Sequence, residues 1–174
     1  GKDAKGEAAF TAEDESRIAK LVELGRFIKA ADPYKRAMTV HPWWHGGDRR
    51  QAWAEGWHDF IMLQGGHMAK GPTPEFYGEI QRRTPAKPFL EGECTYEGIF
   101  DFTDTTVRHN AYKAMQCGSL GFTYGAQGIW AMSSDTAPHD GYTGNWGAGS
   151  WQEAMHYPGS KHVGLASRFL QRYP

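Results

Sequence analysis

Four groups of side chains have types and spacings suited to chemistry, and each follows a run that reads as a strand. His41 precedes Trp43 and Trp44, Gln64 precedes His67, Glu93 precedes Tyr96 and Glu97, and Tyr124 precedes Gln127 and Trp130. Their chemistries are complementary. An indole or phenol ring stacks on the C–H face of a sugar, while imidazole, amide and carboxylate groups take up its hydroxyls. Cleaving a glycosidic bond needs, besides, two carboxyl groups, one as acid and one as nucleophile or base. Glu93, at a strand end, is the first candidate. Glu97 is its rival, or else anchors the following loop or binds a hydroxyl. Position alone does not assign the two roles.

Other patterns carry less. His41, His45, His58 and His67 invite a metal reading, since imidazole is a common ligand. The spacing of His41 and His45 would bring both to one face only in a helix, however, and Pro42 opposes a helix there. No metal and no cofactor is expected. Gly144, Gly147 and Gly149 do not fit a dinucleotide fingerprint, and Gly46-Gly47-Asp48 reads as a turn. Arg108 reads equally well as one half of a structural ion pair or as a substrate contact.

The elements that must position these residues are legible from periodicity. Apolar Ile18, Leu21, Val22, Leu24 and Ile28 predict an amphipathic helix over 11–31, started by a Thr11/Asp14 capping box and stopped at Asp32-Pro33. Strands are expected over 36–42, 58–64, 87–93 and 121–125, and further helices over 73–83, 105–117 and 161–171. Residues 43–56 read as a long loop, as does the Gly- and Trp-rich stretch 127–151. Strands alternating with helices predict a single domain, 1–174, of parallel α/β type. A full eight-stranded barrel takes about 250 residues, so four strands suit half of one, with a small doubly wound sheet as the alternative.

Composition excludes several classes. With 19 Lys+Arg against 20 Asp+Glu among 174 residues, no field steers the chain to nucleic acid. No apolar run approaches the roughly 20 residues of a membrane span. Two cysteines, Cys94 and Cys117, allow at most one disulfide, too few to staple the fold. The 22 glycines and seven tryptophans instead fit tight loops around an aromatic-lined cavity.

Longer motifs sharpen the picture. Asp32-Pro33-Tyr34 with Thr39-Val40-His41-Pro42, Asp59-Phe60-Ile61-Met62-Leu63-Gln64-Gly65-Gly66-His67, Gly92-Glu93 with Tyr96-Glu97-Gly98-Ile99, and Thr123-Tyr124-Gly125-Ala126-Gln127-Gly128-Ile129-Trp130 together resemble the apiosidase-like catalytic domain of glycoside hydrolase family 140. The resemblance implies a (β/α)8 TIM barrel, of which this chain would be about the C-terminal half, strands 5–8, the N-terminal half lying outside it. It implies hydrolysis of apiose linkages in pectic plant cell-wall polysaccharide, by analogy with retaining barrels. Glu93 matches the family's Gly-Glu motif and is expected as nucleophile. Asp3, in Gly1-Lys2-Asp3 where the family has a Gly-Gly-Asp turn, is expected as acid/base. His41, Trp43, Trp44, Gln64, His67, Tyr96, Glu97, Tyr124, Gln127 and Trp130 are expected to bind the oligo- or polysaccharide, with no nucleic-acid or membrane partner. The full-length protein is expected to be secreted or periplasmic. Two alternatives stay open: a carbohydrate-binding barrel without catalysis, and a metal-dependent barrel hydrolase.

Overall fold

The computed structural model describes residues 11–42, 50–134 and 149–173. Helix α1 spans Ala12–Ala31 and starts as its sequence requires: the Asp14 amide donates to Thr11 Oγ1 at 3.2 Å, and the Thr11 amide donates to Asp14 Oδ2 at 3.0 Å. Its packing departs from expectation. Only Ile18 and Gly25 are buried, whereas Leu24 and Ile28, expected on the inner face, are exposed. Gly25 explains the geometry, because a Cβ there would lie 2.3 Å from the Trp57 ring, which comes in flat against the helix backbone.

The remaining elements are α2 (Arg50–Trp53), β1 (Ile61–Gly66), α3 (Pro74–Gln81), β2 (Phe89–Cys94), α4 (Asp104–Gln116), α5 (Trp151–Ala154) and α6 (Gly159–Arg172). Strands β1 and β2 pair in parallel, linked through α3. Thr73 caps α3 by accepting the Phe76 amide at 3.3 Å, with Pro74 at the first position, where its missing N–H costs nothing. Phe89, Ile61 and Leu63 pack against Tyr77 and Ile80 of α3 and Ala114 of α4, so helices cover one face of the sheet.

Four strands were expected and two form among the described residues. Residues 36–42 do run beside the approach to β1, but the contacts use side chains: the Met38 amide donates to Asp59 Oδ2 at 2.7 Å and Thr39 Oγ1 to the Phe60 carbonyl at 2.7 Å. Side chains replace the regular ladder there, and one backbone bond, Asp59 N–H to the Met38 carbonyl at 2.8 Å, remains. Residues 121–126 lie parallel to the other edge of β2, with isolated bridges at Glu91/Phe122 and Glu97/Ala126. Backbone bonds continue there, with Leu120 N–H donating to the Phe89 carbonyl at 2.7 Å and Thr123 N–H to the Glu91 carbonyl at 2.9 Å, while the Glu91 amide is shared between the Gly121 carbonyl at 3.3 Å and the Ser119 hydroxyl at 3.2 Å. In place of four strands there is a parallel pair flanked by two extended segments. No helix of the described residues is long and apolar enough to cross a membrane.

Candidate active site

Alternation along β2 would send Phe89, Glu91 and Glu93 to the same side, beneath α3. The register prevents this. Leu63 pairs with Glu91 but Gln64 pairs with Glu93, leaving Gly92 as an extra residue. Such a bulge re-aims the side chain that follows it. Gly92 suits the position because a Cβ there would lie 2.5 Å from Met62 Cγ. Glu93 accordingly leaves the helix side and meets Gln64 at the C-terminal end of the sheet.

Three groups grip its carboxylate. Gln64 Nε2 donates to Oε1 at 3.0 Å, His67 Nε2 lies 3.3 Å from Oε1, and His41 Nε2 lies 3.0 Å from Oε2. The Glu93 side chain is 17% exposed and His67 10%, while His41, at 50%, stands at the rim. The hydrogen bond from His67, helped by the charges of His67 and His41 and by the Gln64 amide, holds the Glu93 carboxyl below its ordinary range, although burial works the other way. Tyr96 packs edge-on to the His67 ring, with centroids 4.6 Å apart, and burial together with the Glu93 charge pushes its hydroxyl up to about 12. Gly125 makes room for Tyr96, since a Cβ there would lie 2.2 Å from the ring.

Glu97 goes elsewhere. Its Oε2 accepts the Tyr124 hydroxyl at 2.7 Å and the Gly159 amide at 2.9 Å, so this buried carboxylate sits on the N-terminus of α6. Gln127, fully buried, accepts Trp130 Nε1 at 2.7 Å, which fixes an indole that remains 39% exposed. Of the residues expected in the site, His41, Gln64, His67 and Tyr96 gather at Glu93. Glu97 and Tyr124 form a second cluster, and Gln127 and Trp130 pair with each other. Asp3, Trp43 and Trp44 lie outside the described residues. Arg108, half of the ion-pair question, lies 3.5 Å from His162 on α6. Among the described residues, no group of three or more His, Cys, Asp or Glu side chains is arranged to hold a metal ion.

Glu91, inside the strand expected over 87–93, is a further carboxyl beside the site that no motif marks. It is fully buried, accepts the Gly65 amide at 2.9 Å and the Tyr77 hydroxyl at 2.9 Å, and is pushed up to about 7 by burial. A glutamate at an inward position of a strand was the available signal.

A family model described as the apiosidase-like catalytic domain matches residues 2–174. Curated proteins give no match. Among solved structures, a glycoside hydrolase is similar with a TM-score of 0.70 at 27% identity, over 87% of this chain and 38% of its own. A family 5 glycoside hydrolase from Bacteroides vulgatus ATCC 8482 is similar with a TM-score of 0.72 at 25% identity, over 87% of this chain and 36% of its own. The chain therefore spans less than two fifths of either relative. Its parallel α/β arrangement is TIM-barrel-like, as in these hydrolases.

Proposed function

The chain belongs to the apiosidase-like catalytic domain family, and from that premise we propose that it is the part of a glycoside hydrolase that carries the nucleophile, Glu93. The observation behind this is the grip on Glu93 at the end of β2. A nucleophile must be ionised and aimed, whereas a general acid must hold its proton and so needs a raised pKa. His67, His41 and Gln64 lower the Glu93 value and fix both carboxylate oxygens. That favours attack, or stabilisation of an oxocarbenium-like centre, over proton donation.

In this reading Asp3 protonates the leaving oxygen in the first step and activates water in the second. His41, exposed at the rim, can release Glu93 Oε2 to a substrate and turn to a sugar hydroxyl. The Tyr96 hydroxyl keeps its proton through the neutral range and donates toward the substrate, while Trp130, with Trp43 and Trp44, offers rings for stacking. The substrate is an apiose-containing pectic glycan. The two strands and their flanking extended segments would be four consecutive units of an eight-fold barrel, and the other half would come from sequence beyond residues 1–174, in keeping with relatives more than twice as long.

Stereochemistry tests the mechanism directly. In the full-length protein, NMR of the first-formed product should show a retained anomeric configuration, and the two carboxyl groups should lie about 5 to 5.5 Å apart. Inverted product would remove Glu93 from the nucleophile role and make it the base that activates water.

A further inference from the structure

The grip on Glu93 depends on an irregular stretch of β1. Between Leu63 and Gly66 the register shifts twice, first to pair Gln64 with Glu93 and then Gly66 with Cys94. Gly65 is the residue the second shift leaves unpaired, and Gly66 has a positive φ of 77°. Two of the three groups holding Glu93, Gln64 and His67, flank this pair of glycines. Two successive glycines give the backbone wide freedom, so something must fix it.

We propose that Glu91 is a positioning residue for Glu93, clamping the irregular Gly65-Gly66 end of β1 from the opposite side of the sheet. One carboxyl group spans two elements there. Oε1 takes the Gly65 amide and Oε2 takes the hydroxyl of Tyr77, which α3 holds fully buried and stacked on Phe89 at 5.6 Å between centroids. The clamp therefore ties β1 to α3 through β2, and it fixes the segment that delivers Gln64 and His67. Space is tight as well: a Cβ on Gly65 would lie 2.8 Å from Glu91 Oε2 and 2.6 Å from Pro72 Cγ.

A protonated carboxyl serves as well as an ionised one. Its carbonyl oxygen accepts from Gly65 and its hydroxyl donates to the Tyr77 oxygen, a pattern that a glutamine amide reproduces. Leucine offers neither bond and leaves a buried amide and a buried phenol unsatisfied.

This inference rests on Glu93 being the reacting carboxylate, so its test includes a readout that needs no substrate. In the full-length protein labelled with ¹³C-glutamate, Glu93→Gln assigns the Glu93 carboxyl signal, whose titration midpoint is then followed in Glu91→Leu, Glu91→Gln and Tyr77→Phe. Glu91→Leu should raise the Glu93 midpoint by at least about half a unit, as the bonds from His67 and Gln64 loosen. It should also lower kcat about tenfold or more with KM changed less than about twofold. Glu91→Gln should restore both most of the way. Should the leucine variant not fold, Tyr77→Phe carries the test and should raise the midpoint in the same direction by a smaller amount. An unmoved Glu93 midpoint in a folded Glu91→Leu, or failing that in Tyr77→Phe, would overturn the clamp whether or not the glycan is turned over.

Discussion

Two glutamates separated by one glycine on β2 meet opposite conditions. Glu91, on the helix side, is fully buried and raised to about 7, while Glu93, on the other side of the Gly92 bulge, faces two imidazoles and an amide and is lowered. Identical side chains on one strand thus shift in opposite directions because at Glu91 burial outweighs its hydrogen bonds and the Lys113 charge, whereas Glu93 gains enough partners of the right sign to outweigh burial. A single extra residue in the ladder separates a carboxyl held between β1 and α3 from one held by two imidazoles and an amide.

The contrast breaks most sharply under isosteric substitution. Glu93→Gln in the full-length protein should lower kcat on an apiose-containing glycan by more than about a hundredfold, equivalent to roughly 3 kcal/mol, with binding kept within a few fold. Glu91→Gln should leave turnover within about fivefold. Equal losses in both variants would erase the distinction drawn here, and retention of more than about a tenth of the activity by Glu93→Gln would shift the nucleophile role to another carboxylate.

The next largest effect is on stability against pH. Glu91 in the folded protein holds its proton up to about 7, above the ordinary 4.5, so the folded state binds more protons than the unfolded one between these values. Its contribution is fully present below about 4.5 and is lost as pH rises toward 7, by up to about 3 kcal/mol. Glu93 runs the other way: with its value lowered, its contribution is present above 4.5 and is lost as pH falls through its folded value. Denaturant melts at a series of pH values should show the Glu91→Gln protein losing the decline between pH 4.5 and 7. Tyr77 and Cys94, which also face Glu91, are raised and move away from that window. An unchanged slope would mean that Glu91 ionises normally.

Two smaller effects sharpen the Glu93 side. Gly125→Ala puts a methyl group where the Tyr96 ring lies and should cost about 1–3 kcal/mol by overpacking. It should also displace Tyr96 from His67, measurable as a drop in Tm together with reduced kcat. Finally, His67→Ala should move the acid limb of the kcat/KM profile to higher pH, because the foremost cause of the lowered Glu93 value is gone. His41→Ala should move it in the same direction but less, since that imidazole is half exposed and its charge ranks below both contributions of His67. A larger shift from His41 than from His67 would reverse this ranking.

Much of the frame is local and therefore readable. The Thr11/Asp14 capping box, the Asp32-Pro33 stop, the Thr73-Pro74 start of α3 and the apolar run of β1 are short-range signals, and each element formed within a few residues of expectation. Glu93 was legible too, as a carboxylate closing a strand. Residues 36–42 failed as a ladder because Asp59 and Thr39 placed side-chain bonds where backbone pairing was expected, and no periodicity encodes such competition, whereas residues 121–126 keep backbone bonds to β2 as isolated bridges. Glu97 was legible as an anchor or a hydroxyl ligand, but not the group it holds, because the Gly159 amide lies 62 residues away.

What the sequence by itself determined is therefore the order of parallel α/β elements, the starts and stops of their helices, and the short set of polar side chains at the strand ends. Only the tertiary structure decided which partners each of three nearby glutamates meets. Glu91, Glu93 and Glu97 have the same chemistry in isolation. Their separation comes from a one-residue bulge, a buried phenol on α3 and a helix N-terminus far along the chain, all of which act through distances of about 3 Å that exist only once the elements have packed.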